Sequence, residues 1–200
     1  VGLFGSGWQA SSQLEAICRV RPIHQAWVYS RNPERRERFA RERRERLGID
    51  VTAVDEPRRA VAEADIVATI TTASEPLFDG RWLRPGTHLN VAGANRPRSQ
   101  EVDVETVRRA QRVAIDDKAQ GQLEAGDLLV PIAAGVLSWD DVCELGDVVA
   151  GKIPGRADDG DITLFKSLGV ALEDIAVARV VVDKARAAGL GEALPETILG

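Results

Sequence analysis

The chain has 200 residues, of which 44% are hydrophobic and 28% charged, ordinary values for a globular protein. That length makes one large domain or one domain with an appendage. No apolar run approaches the roughly 18–20 residues that span a bilayer, and a formal net charge of −5 argues against a nucleic-acid partner. Cys18 and Cys143 lie far apart with no CxxC, which excludes a disulfide framework and points to a reducing compartment, expected to be the cytoplasm. There is no methionine, and the chain opens in an apolar strand. Both features lead us to expect a longer protein with a segment ahead of Val1.

Val1–Phe4 reads as a buried strand, Gly5–Gly7 as a turn, and Trp8–Val20 as a helix with Leu14, Ile17 and Cys18 on its apolar side. His24–Tyr29 is a second strand. Ser30 to Pro33 is a turn into a charged helix over Glu34–Leu47, closed by Gly48. Asp50–Val54 is a weak strand and Pro57–Ala64 a helix. Asp65–Thr71 has the β-branched density of a buried parallel strand. Thr87–Ala92 and Arg112–Asp116 are expected strands, with Val102–Ala110 the helix between them. This alternation predicts an α/β fold: a doubly wound parallel sheet. Beyond Asp117 the pattern is more helical, over Asp117–Ala125, Ser138–Ala150 and Leu168–Ala188, with Ile162–Ser167 a strand or turn. Val170, Leu172, Ile175, Ala176 and Val180 form the apolar side of the last helix.

Strand, Gly5-Ser6-Gly7-Trp8-Gln9-Ala10, then helix is a G-x-G-x-x-A turn in the context its chemistry needs. Gly5 permits the tight turn, Gly7 lets backbone approach a pyrophosphate, and Ala10 permits close helix–strand packing. A glycine turn without ligand and an adenosylmethionine site are the alternatives. At the end of the second strand, a carboxylate on the ribose 2′-hydroxyl would mark NAD. Ser30 stands there, followed by Arg31 and Asn32, which removes repulsion from a 2′-phosphate and supplies a fork of donors. NADP(H) is therefore preferred, with NAD(H) as the alternative. The arginines from Arg35 to Arg46 alternate with glutamates and read as a solvated helix face. His24 and His88 read as structural, and no cluster has metal-ligand spacing. Asp116 and Asp117 read as a strand end and helix cap, Asp158–Asp161 as a turn. Lys166 reads equally as a phosphate or substrate contact and as a surface ion pair.

The segments GLFGSGWQA (2–10), VYSRNPE (28–34), ADIVATITTASEPLFDG (64–80), GTHLNVAGANRPRSQEVD (86–103), AIDDKAQ (114–120), GDL (126–128) and ITLFKSLGVALEDIAVAR (162–179) together resemble the ornithine cyclodeaminase/mu-crystallin family. The resemblance implies a Rossmann domain over 1–135. It also implies a helical part over 136–200 that completes this domain and packs on an N-terminal dimerisation and substrate domain, giving a homodimer. It implies that Gly5, Gly7, Trp8, Gln9 and Ala10 hold a pyrophosphate and that Ser30 and Arg31 hold the adenosine ribose. Thr71, Thr72 and Ala73 would line the nicotinamide side. Val91 to Asn95, with Gly93 among them, would form the loop beneath the ring, and Ser167 and Leu168 would touch nicotinamide and substrate.

One departure bears on chemistry. Where cyclodeaminases carry an acid/base aspartate, followed by a lysine, this chain has Asn95 and Ser99. An amide cannot exchange a proton near neutral pH. The expected activity is therefore reduction of a ketimine or imino acid to an amino acid, or its reverse, with Asn95 hydrogen-bonding the substrate nitrogen or a water. Conversion of ornithine to proline and ammonia, and dinucleotide binding without turnover, are the alternatives.

Overall fold

The computed structural model describes residues 1–192 as two compact units, Val1–Leu168 and a second that begins at Gly169. The strands of the first unit are β1 (Gly2–Phe4), β2 (Gln25–Tyr29), β3 (Asp50–Val54), β4 (Ile66–Thr69), β5 (His88–Val91), β6 (Ala110–Ile115), β7 (Val142–Glu144) and β8 (Ile162–Lys166). They form one parallel sheet in the order β3-β2-β1-β4-β5-β8-β6-β7. The winding reverses between β1 and β4, which opens a crevice at the carboxyl ends of those strands.

Both faces of the sheet are buried, which is why its strands are apolar runs. Neighbouring residues along a strand enter opposite cores. Leu3, Val28, Val51 and Ala68 pack with Leu14 and Ile17 of α1 (Trp8–Val20) and with Phe39 of α2 (Pro33–Leu47). Phe4, Val67, Leu89 and Leu164 pack on the other side with Val61 of α3 (Pro57–Val61), Val107 of α4 (Val104–Arg109) and the residues around Leu128. Helix α2 has the signals its sequence promised: Pro33 opens it, Asn32 Oδ1 accepts from Arg35 N at 2.8 Å, and Gly48 closes it in the left-handed region.

The stretch after Asp117 departs from the sequence reading in several places. Helix α5 (Lys118–Glu124) is capped by Asp117, as expected. A further helix, α6 (Gly126–Ala133), follows at once. Pro131 within it hides the helical pattern, because it removes a backbone donor. The helix expected over Ser138–Ala150 is instead β7 and the short α7 (Leu145–Val149). Pairing of Val142 and Cys143 with β6 overrides the local pattern there. Ile162–Lys166 is a full strand between β5 and β6, and the first unit runs to Leu168. In the second unit, α8 (Ala171–Ala187) starts after Val170, its N-cap, and of the expected apolar residues it carries, Leu172, Ile175 and Val180 are exposed. No helix among the described residues is long and apolar enough to cross a membrane.

His88 on β5 is structural. Its Nδ1 lies 2.7 Å from Thr163 Oγ1 and its Nε2 3.1 Å from Asn90 Oδ1. Burial lowers its pKa below the ordinary imidazole value; the Asn90 hydrogen bond opposes this, and Arg156 and Arg21 add to it. The unfolded chain therefore binds the proton first as pH falls. This contribution to stability is intact above about pH 6.5 and declines below it. Between about pH 7.5 and pH 5.5 the wild-type melting temperature should drop more than that of His88→Gln. Equal drops would assign the loss to other groups.

Candidate functional site

The turn after β1 is shaped by two glycines with different requirements. Gly5 has φ +118°, and a Cβ there would lie 2.5 Å from Ile70 O. Its N–H donates to Tyr29 O at 2.9 Å, which ties the turn to β2. A Cβ on Gly7 would meet no protein atom within 4 Å. Gly7 also caps α1 without a side-chain hydrogen bond, so the first N–H groups of that helix face the crevice. Ser6 Oγ donates to Ser30 Oγ at 3.0 Å and joins the turn to the end of β2.

Around this turn lies a cleft of about 540 Å³. Gly5, Gly7, Trp8, Gln9, Ala10, Ser30, Arg31, Asn32, Thr71, Thr72, Ala73 and Gly93 all line it. Arg35, assigned from sequence to a solvated face, lines it as well. Among the described residues the lining contains no carboxylate and two guanidinium groups.

The remaining expected site residues lie elsewhere. Val91 is fully buried in the core at the end of β5, and Leu168 is buried in the same core. Asn95 is exposed on the loop that follows β5, beyond Gly93. Ser167 continues β8: its N–H donates to Val91 O at 2.9 Å and its Oγ to Asp116 Oδ2 at 3.2 Å. Asp116 also accepts from Leu168 N at 2.6 Å. That carboxylate therefore anchors the exit of β8, where the sequence had suggested a cap.

Three charged residues under the cleft escaped the sequence reading in the roles they hold here. Glu101 is fully buried and accepts from Thr69 Oγ1 at 2.8 Å, from Thr71 N and Oγ1 at 2.7 Å each, and from Gly93 N at 2.6 Å. Asp127 accepts from Glu101 N at 2.6 Å and Val102 N at 3.1 Å. Its other oxygen is 3.0 Å from Lys166 Nζ, and both side chains are 0% exposed. Lys166 also donates to Ala94 O and reaches Val91 O at 3.4 Å. It is thus neither a surface ion pair nor a cleft residue. The available signal was a lone lysine closing an otherwise buried strand.

A doubly wound parallel sheet with a glycine turn and an uncapped helix at its switch point defines a Rossmann-type domain. More narrowly, the chain belongs to the ornithine cyclodeaminase/mu-crystallin family, whose model matches residues 1–189. A Delta(1)-pyrroline-2-carboxylate reductase of Bacillus cereus is 37% identical over 191 residues, 95% of this chain and 58% of the relative. The ketimine reductase mu-crystallin of Mus musculus is 34% identical over 181 residues, 90% of this chain and 54% of the relative. A solved Thermococcus litoralis Delta(1)-pyrroline-2-carboxylate reductase, in complex with NADH and L-proline, matches with TM-score 0.91 and 40% identity. That match covers 96% of this chain and 60% of that one. The chain thus spans between 54% and 60% of the length of these relatives.

Proposed function

We propose that the protein is an NAD(P)H-dependent reductase of a ketimine or imino-acid carboxylate, with NADP(H) preferred. The observation that carries this reading is the cleft in which the glycine turn, Ser30–Arg31, Thr71–Ala73 and Gly93 meet. Its residues fit a dinucleotide. Gly7 leaves room for close approach of a pyrophosphate, and the start of α1 offers unpaired N–H donors to it. Bound there, the reduced nicotinamide supplies a hydride to the electrophilic carbon of a protonated imine.

The chain's own part is to orient and to exclude competing proton transfers. Asn95, on the loop beyond Gly93, hydrogen-bonds the substrate nitrogen or a water and returns no proton, which favours reduction over cyclodeamination. The activities named for the similar reductases support the same choice. On this reading Ser167 and Leu168 stand at the substrate end of the sheet edge. The protein acts as a homodimer, and the exposed Leu172, Ile175 and Val180 support a surface that another segment or subunit covers.

The test is nucleotide oxidation by the full-length protein offered pyrroline-2-carboxylate or its six-membered homologue, with ornithine as control. Turnover with the imine alone is expected. Proline and ammonia released from ornithine would favour the cyclodeaminase, and nucleotide binding without any product a binding protein. NADH belongs in the same assay because the Thermococcus litoralis relative is described with it. The NADP preference rests on Arg31 and Arg35, which line the cleft where no carboxylate does among the described residues. Arg31→Asp should reverse the NADPH/NADH ratio of kcat/KM by about 10- to 100-fold. An unchanged ratio would remove Arg31 from cofactor choice.

A further inference from the structure

We propose that Glu101 is the positioning residue for the nicotinamide half of the cleft, held in place by the Asp127–Lys166 ion pair. The inference rests on the dinucleotide reading above. Among the described residues, Glu101 grips both loops assigned to the nicotinamide end, the exit of β4 through Thr69 and Thr71 and the exit of β5 through Gly93. Each carboxylate oxygen takes one backbone donor: Oε1 accepts from Thr71 N, and Oε2 from Gly93 N. Only a group with two acceptor oxygens satisfies both. A carboxamide turned either way sets an N–H against a backbone N–H.

Gly93 is required by the same clamp. It needs no unusual φ, yet a Cβ there would lie 2.4 Å from Glu101 Oε1 and from Thr71 N and O. The backbone of Glu101 is fixed from beneath, because Asp127 Oδ1 receives the N–H groups of Glu101 and Val102. Lys166 neutralises Asp127 and binds the carbonyl of Ala94, the residue before Asn95. The loop that carries Asn95 is therefore held at Gly93 N by Glu101 and at Ala94 O by Lys166. These bonds all lie away from the Ser30–Arg35 end of the cleft.

This separation gives a selective test in the full-length protein. Two ligands are compared by calorimetry: NADPH, and 2′-phospho-ADP-ribose, which lacks the nicotinamide. Glu101→Gln should weaken NADPH binding about tenfold while leaving the fragment within about twofold. It should also lower kcat about 100-fold, more than it raises KM for the imine. Thr69→Val removes one donor to Glu101 without touching the cleft lining and keeps the side-chain shape. It should show the same selectivity at about threefold, and it decides the matter if Glu101→Gln does not fold. Equal weakening of both ligands would make Glu101 a support of the fold alone, and unchanged binding of both would remove it from the site. Either result overturns the proposal. If the wild type bound only NADH and ADP-ribose, the same comparison would be made with that pair; if it bound none of the four, the dinucleotide reading itself would fall and this inference with it.

Discussion

Lys166→Met should destabilise the protein by about 3–5 kcal/mol, the range for removing one partner of a buried ion pair. Lys166 and Asp127 have no exposed surface, and their charged atoms are 3.0 Å apart. Methionine matches the length of the lysine stem but leaves the Asp127 carboxylate buried with only the N–H groups of Glu101 and Val102 and without the Lys166 charge. It also releases the carbonyls of Ala94 and Val91. Urea denaturation of wild type, K166M, D127N and the double variant separates the contributions. In the double variant the amide oxygen at 127 can still receive the N–H groups of Glu101 and Val102 while the stranded charge is gone, so stability should recover in part. A cost below about 1 kcal/mol for K166M would place the pair among exposed ion pairs and end the argument that it holds the loop after β5.

The second large effect separates two glycines that are only two residues apart. Gly5→Ala should cost about 2–4 kcal/mol of stability, since the new Cβ meets Ile70 O at 2.5 Å and the backbone stays at φ +118°. Gly7→Ala should leave stability within about 1 kcal/mol, because Gly7 sits in extended backbone with open space around its missing Cβ. That space is what the proposed pyrophosphate would fill. The methyl group should therefore cost binding about 1–3 kcal/mol, roughly a 5- to 150-fold loss of NADPH affinity. Thermal melts with and without NADPH give both quantities. If Gly7→Ala bound NADPH as tightly as wild type, the turn would be a fold feature and not a ligand cradle.

The half of the site built from consecutive residues was legible in the chain. Glycine spacing between a strand and a helix, and a polar turn ending β2, report local backbone geometry, and the cleft contains those residues. The half built from long-range contacts was not. Glu101 reaches Thr69 across 32 positions and Lys166 reaches Ala94 across 72, and apart from the apolar strand that Lys166 closes nothing local marks these charges for burial. Val91 and Leu168 were named through the family resemblance, which places a residue in the chain without telling which way its side chain turns; both side chains are buried in the core. β7 was missed because its identity comes from the partner strand β6.

The place of β8 sets an order on assembly. Every residue lining the cleft lies between Phe4 and Gly93, so during synthesis the residues of the pocket all emerge ahead of β8. β5 and β6 are not neighbours, however, and remain two open edges until residues 162–166 slide between them. Contacts such as Leu89 with Leu164 close a long loop, which slows this last step and exposes unpaired backbone meanwhile. Lys166 is the final residue of the inserted strand. The pocket is thus written early and locked late: a chain that stops short of 162 leaves the sheet in two pieces, with the loop that carries Asn95 unfastened.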